Sequence, residues 1–415
     1  MSTRTWRPGA LAVAQIDTLT VGGTIEAGDL FNVTIGSKTL SHAAVATTTA
    51  ALATELATAL AGLTDALFPE FENITFAPSG STVTCTADDP GTPFTLTVAT
   101  TESDGSAADS QTFVRAATTA NAGPNNFDGA NNWSAATVPV STDTAVLEDS
   151  SVPLLYNLGQ SAITLAALHI RASFEAEIGL AEWNPDEYPE YRATYLAIGA
   201  TLLVIGEGEG NGSDRIKIDT GTPQTTITVR KTGTGEDGNP AFLWKGTHAS
   251  NAMSALAGSV GIAYFGGEVA TLASLLVTEA DVVAGTGLTL TTAELGGKGS
   301  IELRCACTTL TLNEGAGEVT AVGSGNFTTV KVLGGTFNVR RSCTITNSEI
   351  GSNGTLDLSE ATGAVTFTNA IQMAKGATLK DPRKLGVYSA GIAPVGCGMD
   401  ELNVTLGSDR TFTPA

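Results

Sequence analysis

The chain has 415 residues, more than one hydrophobic core usually organises, so two or three domains are expected. Only 15% of the residues are charged and 47 are glycine, a composition that favours short strands and turns over long amphipathic helices. The formal net charge of −21 argues against nucleic-acid binding, because affinity for phosphate backbones depends on clustered Lys and Arg.

Signals for insertion into or passage across a membrane are also missing from the sequence. No apolar run reaches the roughly 18 residues that a transmembrane helix needs, so no membrane partner is expected. The first residues, Met1 to Pro8, lack the apolar core and small-residue cleavage site of a secretory signal. We therefore expect a protein that is made in a cytoplasm and is not exported by the general pathway.

Residues 1–12 form a polar N-terminal arm. Trp6 lies between Arg4 and Arg7, a combination that is common among interface anchors, and Pro8 interrupts regular structure. Such an arm is either disordered in the free chain or docked on a neighbour. Arg4, Trp6 and Arg7 are therefore candidate partner or glycan contacts.

Residues 13–115 predict a small α+β domain, a sheet with one helix. Strand patterns at Val13–Val21 and Leu30–Ile35 precede a helix from Thr47 to about Leu63, whose leucines share one face. Three further strands are predicted at Ile74–Phe76, Val83–Ala87 and Phe94–Ala99. This order argues against a parallel nucleotide-binding core and favours a helix on an antiparallel sheet.

Residues 116–132 are predicted to be a linker that leads into a different architecture. The segment from Pro124 to Trp133, followed by Val138-Pro139 and Asp143–Leu147, resembles the start of β-solenoids in bacterial surface proteins and in structural proteins of tailed phages. Further similarity to phage virion proteins lies at Pro69–Phe71, Gly91–Leu96, Tyr188–Tyr191, Gly246–Ser250 and Ala377–Asp381. The resemblance covers nearly the whole chain and implies a virion location, without distinguishing capsid from tail.

A short phrase, Gly followed by a small or polar residue and then an apolar one, recurs later in the chain. It begins at Gly258, Gly299, Gly317, Gly335 and Gly354. The spacings of 41, 18, 18 and 19 residues indicate a repeating unit of about twenty residues. The spacing of 41 is close to two units, so one phrase between Gly258 and Gly299 is not recognisable in the sequence. Strands this short bury their apolar faces only by stacking successive turns. We therefore predict a right-handed parallel β-helix over residues 133–394, with Trp133 covering its open end and residues 395–415 forming a C-terminal cap.

An insertion near residues 180–195 concentrates aromatic rings and carboxylates. It contains Trp183, Tyr188 and Tyr191 together with four acidic residues, in a chain with only 6% aromatics. Aromatic faces beside carboxylates suit a sugar ring, so the loop could contact a glycan or hold the acid pair of a glycosidase. We favour the alternative, in which the aromatics pack onto the solenoid or against another subunit.

A glycine-rich segment, Gly206–Asp214, carries Glu207, Glu209 and Asp214. Several carboxylates could bind calcium, but their spacing does not match the twelve-residue calcium loop, and a flexible turn is favoured. The five cysteines are interpreted as small core residues in a reducing compartment rather than ligands. These are Cys85, Cys305, Cys307, Cys343 and Cys397. No metal or cofactor is predicted.

Charge is distributed unevenly along the sequence. Residues 1–110 have a net charge of −9, whereas residues 331–384 have a net charge of +3. A solvated face is the favoured interpretation of the basic region, and contact with an acidic partner surface is the alternative.

The resemblance to phage proteins implies a non-enzymatic virion structural protein. The linear solenoid and the N-terminal arm suit a rigid spacer, so we expect an outward-facing capsid decoration of the cement or fibre-like kind. A homotrimer is expected, because three solenoids side by side bury lateral faces that a monomer would expose. The other expected partner is a virion protein such as the major capsid or a tail protein. The alternatives are a tail fibre or tailspike that binds or cleaves host surface polysaccharide, and a bacterial surface adhesin module.

Overall fold

The computed structural model describes residues 2–63 and 66–407. Strands hold 49% of the residues and helices 6%, so the chain is mainly β. The prediction of an N-terminal sheet domain with one helix, followed by a β-solenoid, is confirmed, and the solenoid has about 12 turns. None of the helices in the described part of the chain has the length and apolarity needed to cross a bilayer.

The first third of the chain contains the arm and the sheet domain. Its strands are β1 (Thr3–Thr5), β2 (Ile16–Gly22), β3 (Leu30–Ile35), β4 (Lys38–Ala43), β5 (Ile74–Ser79), β6 (Thr82–Ala87), β7 (Leu96–Thr101) and β8 (Thr112–Thr119). The helix α1 (Thr49–Ala61) lies between β4 and β5, and a short 3₁₀ helix spans Pro69–Phe71.

The sheet domain is built from two antiparallel sheets and α1. One sheet has the order β5-β6-β2-β8 and the other β4-β3-β7. The helix buries Leu52, Leu56 and Leu60 in a core shared with the inward residues of the strands. Because these leucines recur every four residues, one face of the helix covers the sheets.

The sequence prediction missed two strands of this domain. β4 alternates half-buried and exposed positions, and Leu40 is its one large apolar residue, so it carries little apolar signal. It follows β3 through a tight turn in which Gly36 has a φ of +56°, a conformation that favours glycine. β8 runs to Thr119 and pairs with β2, so it extends into the segment predicted to be a linker.

The solenoid follows two 3₁₀ turns at Ala130–Asn132 and Ser134–Ala136. Its first strands are β9 (Thr144–Leu147), β10 (Gly159–Arg171), β11 (Leu196–Glu207), β12 (Ile216–Asp219), β13 (Thr226–Val229), β14 (Phe242–Lys245), β15 (Ala252–Ala255), β16 (Ser259–Ile262), β17 (Ala270–Val277), β18 (Asp281–Ala284) and β19 (Leu288–Leu295). They are followed by β20 (Ser300–Leu303), β21 (Cys307–Leu312), β22 (Glu318–Ala321), β23 (Phe327–Val339), β24 (Cys343–Asp357), β25 (Val365–Phe367), β26 (Ile371–Ala374), β27 (Thr378–Asp381), β28 (Gly386–Tyr388), β29 (Ile392–Val395), a 3₁₀ turn at Met399–Glu401 and β30 (Asn403–Leu406).

Parallel pairing between turns stacks inward side chains into continuous columns. One column joins twelve positions in register: Ala145, Leu168, Leu203, Ile227, Met253, Leu275, Ala293, Leu310, Val330, Ser348, Ile371 and Ile392. A second includes Phe242, Val260, Val282, Ile301, Val319, Phe337, Leu356 and Leu379. A third includes Leu272, Leu290, Cys307, Phe327, Ile345 and Phe367. All three columns belong to one hydrophobic core that runs the length of the solenoid.

Strand register also locates the repeat that is not recognisable in the sequence between Gly258 and Gly299. Ser259 pairs with Asp281, and Asp281 pairs with Ser300, so one turn lies between the phrases at Gly258 and Gly299. At that turn Ala280 replaces the glycine, and Val282 supplies the inward residue at 1% exposure. The interpretation of the 41-residue gap as two periods is therefore confirmed.

The last described residues continue the solenoid. β30 pairs in parallel with β27, and Leu402 and Val404 pack against the core, so this part of the predicted cap forms another turn. Residues 408–415 of that predicted cap lie outside the described residues.

The five cysteines are free thiols, and four of them lie within the two cores. Cys85, Cys305, Cys307 and Cys343 are buried, as predicted, and Cys397 is partly exposed. Burial raises the pKa of the Cys85 and Cys307 thiols to about 12 and that of Cys305 to about 11. These three thiols are therefore protonated at neutral pH and behave as small apolar side chains.

The basic region near the end of the chain is largely paired with carboxylates on the solenoid surface. Lys331 approaches Glu349 at 3.4 Å, and Arg340 approaches Glu360 at 2.7 Å. Arg341, by contrast, points inward and is 2% exposed. This arrangement favours the solvated-face interpretation of the charge imbalance.

Candidate functional site

The N-terminal arm is docked on its own solenoid. β1 adds a parallel strand to β9, with Arg4 opposite Ala145. Arg4 is partly buried, and its Nε lies 3.4 Å from Oδ2 of Asp143. The expectation of an arm that is disordered or docked on a neighbour is corrected in this structure, because the first solenoid turn offers an unpaired strand edge that the arm fills.

Trp6 is part of the core at the start of the solenoid. Its ring is 1% exposed and meets Trp133 edge-to-face, with the ring centroids 5.1 Å apart. Trp133 also meets Phe127 edge-to-face at 5.1 Å, so three aromatic rings fill this end. Trp6 is therefore buried away from any partner or glycan, whereas the Arg7 side chain is exposed beside Glu148 and Asp149 in a cleft of about 360 Å³.

Asn132 fixes the segment that the sequence predicted to be a linker. Its Oδ1 accepts hydrogen bonds from the backbone N–H groups of Gly9 and Ala10, both at 2.9 Å. Its Nδ2 donates to the carbonyls of Gly123 and Asn126, also at 2.9 Å. The fully buried amide thus makes four bonds, and it ties the arm to the turns that precede the solenoid.

The aromatic insertion forms a short hairpin. Glu190 donates its N–H to the Glu182 carbonyl at 2.9 Å, and Asn184 donates its N–H to the Tyr188 carbonyl at 2.8 Å. Trp183 and Pro189 form an antiparallel bridge between these bonds. The hairpin therefore holds Trp183 on ordered backbone.

Two of the three aromatics in this hairpin face the sheet domain. Tyr188 is 5% exposed and stacks on Tyr191 with centroids 6.0 Å apart. Tyr191 packs against the hydrophobic core of the sheet domain and lies beside Gly36. Tyr188 is buried and Tyr191 is half-buried, and their packing agrees with the favoured interpretation of the insertion.

Arg192 links the hairpin to the sheet domain through hydrogen bonds and an ion pair. It makes a bidentate ion pair with Glu190, with Nε to Oε1 at 2.8 Å and Nη2 to Oε2 at 2.7 Å. Its Nη1 donates to the Pro93 carbonyl of the sheet domain at 3.2 Å. The guanidinium also lies 5.5 Å from the ring centroids of Tyr156 and Tyr191. One side chain thereby contacts the first solenoid turn, the hairpin and the sheet domain.

The surroundings of this ion pair shift the pKa of its carboxyl group, that of Glu190. Burial opposes ionisation, yet the hydrogen bonds and charge of Arg192 hold the pKa of Glu190 below its ordinary value. The Glu190 side chain is only 2% exposed, so the pair is held largely out of water.

Trp183 lies on the opposite side of the hairpin and is 63% exposed. It borders a depression of about 410 Å³ between the hairpin and the flank of the solenoid. The other lining residues include Glu182, Arg215, Lys217, Glu236, Asn239 and Phe265. We call this depression the Trp183 pocket.

Lys217 lies at the base of the pocket with a side-chain exposure of only 1%. Its Nζ donates to the Leu180 carbonyl at 3.0 Å and pairs with Glu182. The ammonium also lies 4.8 Å from the Tyr195 ring and 5.4 Å from the Phe265 ring, measured to their centroids. Burial lowers the pKa of Lys217, against the effect of the Glu182 carboxylate.

Arg215 forms a second ion-paired wall of the pocket. It pairs with Glu236, and its Nη2 lies 3.1 Å from Glu177. Glu236 begins a tight turn that ends at Asn239, whose N–H donates to the Glu236 carbonyl at 2.8 Å. Asp237 and Gly238 both have positive φ, as a two-residue hairpin turn requires.

Two of the three carboxylates of the glycine-rich segment, those of Glu207 and Asp214, make local contacts, and Glu209 is exposed. Asp214 accepts hydrogen bonds from the Thr234 N–H at 2.6 Å and from the Thr234 hydroxyl at 3.2 Å. Glu207 lies 3.6 Å from Nδ1 of His169. Within residues 2–63 and 66–407, no group of three or more His, Cys, Asp or Glu is placed to hold a metal ion.

Sequence reasoning missed Arg192 and Lys217. Arg192 directly follows Tyr191, and a cation beside a ring in an aromatic insertion is a usable signal for packing. Lys217 lies between Ile216 and Ile218, so alternation places it on the outer face of its strand. Only the fold shows that the hairpin covers that face.

No protein-family model, curated protein or solved structure matches the chain.

Proposed function

We propose that the chain is a non-enzymatic structural protein of a tailed-phage particle, displayed outward as a capsid decoration. The observation that carries the proposal is the uninterrupted core of about 12 solenoid turns, fused to a sheet domain by a fixed junction. Stacked turns in which each strand pairs with the turns on both sides make a stiff spacer, which suits a protein that holds one domain away from a surface.

The start of the solenoid supports the same role. The segment from Pro124 to Trp133, which resembles the start of phage solenoids, lies where the first turn is closed. Trp133 and Phe127 are both buried there, and the arm adds its strand to β9. A covered end prevents uncontrolled strand addition, so it favours a rod of defined length over a growing fibre.

A homotrimer fits the outer faces of the rod. Leu276 lies on the outward side of β17 and is 36% exposed, and its partners in the adjoining turns are Ser254 and Glu294. Three parallel rods would bury such faces around a three-fold axis. Light scattering coupled to size exclusion should give three times the 42.1-kDa chain mass, and a stable monomer at micromolar concentration would contradict the trimer.

The proposal is tested by quantitative mass spectrometry of gradient-purified particles from the phage or prophage that encodes the chain. We expect the chain to co-purify with intact particles in a fixed ratio to the major capsid protein. Recovery only in the soluble lysate, with none in particles, would contradict a virion role. Recovery in a fixed ratio to tail proteins from isolated tails would replace the decoration role with that of a fibre.

A further inference from the structure

We propose that the Trp183 pocket binds a neutral oligosaccharide. The inference does not depend on a virion location and stands on the geometry of the pocket. The chain has four tryptophans, and three of them, Trp6, Trp133 and Trp244, are at most 2% exposed. Trp183 alone is exposed, at 63%, and it borders the pocket rather than a flat surface. An indole face open to water is the group on which the apolar face of a pyranose stacks.

The walls of the pocket are held in place before any ligand arrives. Trp183 is bridged to Pro189 within the hairpin, and the far side of that hairpin is clamped by Arg192. The opposite wall is the turn from Glu236 to Asn239, which is closed by its own backbone bond. A site built from fixed walls loses little conformational entropy on binding.

Polar groups with defined directions line the space beside the indole. Arg215 is oriented by Glu236, by Glu177 and by the Gly179 carbonyl at 3.2 Å. Glu182 is oriented by the buried ammonium of Lys217. Carboxylate oxygens and guanidinium N–H groups fixed in this way can accept from and donate to sugar hydroxyls, and bonds to charged groups are the stronger kind.

The size and charge of the pocket narrow the ligand class. A volume of about 410 Å³ falls within the roughly 300–1,000 Å³ typical of small-molecule sites, and it has room for one or two sugar rings. Four carboxylates line it, those of Glu182, Asp214, Glu236 and Asp237, against the two cations of Arg215 and Lys217. Both cations are already paired, so an acidic glycan would meet net repulsion. Neutral hexose and N-acetylhexosamine oligosaccharides are the class that remains.

The test uses the full chain on a printed array of neutral and acidic oligosaccharides, followed by titration with the neutral compounds that bind. Because the other three indoles are buried, acrylamide quenching of tryptophan fluorescence reports mainly on Trp183. We expect a bound neutral oligosaccharide to protect Trp183 from quenching. We also expect Trp183→Ala to weaken binding by at least about tenfold and Trp183→Phe to keep part of it.

Val140→Ala is the matched control, because Val140 is 56% exposed and lies outside the pocket. It should bind as the parent does, and the circular dichroism and melting of all variants should be unchanged. The proposal is overturned by equal binding of the parent and Trp183→Ala, by binding confined to acidic glycans, or by the absence of any neutral compound that protects Trp183.

Discussion

Trp6 and Trp133 meet edge-to-face with their ring centroids 5.1 Å apart, although 126 positions separate them in the chain. The contact places the N-terminal arm inside the first turn of the solenoid. It makes the arm part of the hydrophobic core, so the stability of the first solenoid turn depends on an N-terminal segment whose sequence alone suggests a loosely attached arm.

Trp6→Ala should lower the free energy of unfolding by about 3–5 kcal/mol, because it removes a fully buried ring and leaves a cavity at the end of the core. Trp6→Phe should cost less, because it keeps a ring and removes an indole N–H that has no hydrogen-bond partner among the described residues. Denaturant unfolding followed by circular dichroism measures both. Arg7→Ala, at an exposed position on the same arm, is the control and should change little.

Ser348 interrupts an apolar column. It lies in register between Val330 and Ile371 and is 5% exposed, and within residues 2–63 and 66–407 its hydroxyl has no hydrogen-bond partner. Ser348→Ala should therefore raise the free energy of unfolding by about 1 kcal/mol, since it removes a buried unsatisfied hydroxyl without adding bulk. Thermal or denaturant melting measures the change. A loss of stability would show that the hydroxyl is satisfied in solution.

Arg340 and Arg341 are neighbours with opposite environments. The Arg341 Nη1 donates to the carbonyls of Cys305, Val322 and Ser324 at 2.9–3.0 Å, which ties successive turns together. Arg341→Met should cost about 1–3 kcal/mol, because the three carbonyls lose their donor, although the substitution also removes the buried Nε and Nη2 atoms, which have no partner among the described residues. Arg340→Met removes a surface ion pair with Glu360 and should cost at most about 1 kcal/mol. Equal effects in denaturant titrations would contradict the assigned role of Arg341.

The junction between hairpin and sheet domain should respond to acid. The folded-state pKa of Glu190 lies below its ordinary value, so its pair with Arg192 contributes stability above the unfolded value of about 4.3. That contribution is lost as the pH falls through the lower folded pKa. Hydrogen exchange of the hairpin amides, corrected for the intrinsic effect of pH, should therefore accelerate only at strongly acidic pH.

Glu190→Gln provides the comparison for this pH effect. It should accelerate exchange in the hairpin already at neutral pH and weaken the acid response. Glu187→Gln, at an exposed position of the same hairpin, should leave the profile of the parent unchanged. A parent and a Glu190→Gln variant with the same profile would show that the pair does not hold the junction.

Local patterns sufficed to predict the solenoid because each turn repeats one physical requirement. An inward apolar residue follows a small residue at the corner, and even the turn at Ala280 keeps Val282 inward. β4 was missed because an edge strand needs few apolar residues. Its positions are half-buried or exposed, so the sequence lacks the usual alternation of apolar and polar residues.

The candidate site was only partly predictable. The insertion was identified by its composition, but composition does not say which ring faces solvent. Tyr188 packs toward the sheet domain and Trp183 faces away, and this division follows from contacts across more than 80 positions, such as that of Arg192 with Pro93. Trp6 was misplaced for the same reason, since its partner Trp133 is distant in sequence.

Gold-labelled electron microscopy of intact particles is the most direct measurement of the central proposal. Antibodies raised against the sheet domain should label the outside of the capsid shell without prior disruption of the particle. Labelling confined to the tail would contradict the decoration role. Complete absence of label from both intact and disrupted particles would contradict a virion structural protein altogether.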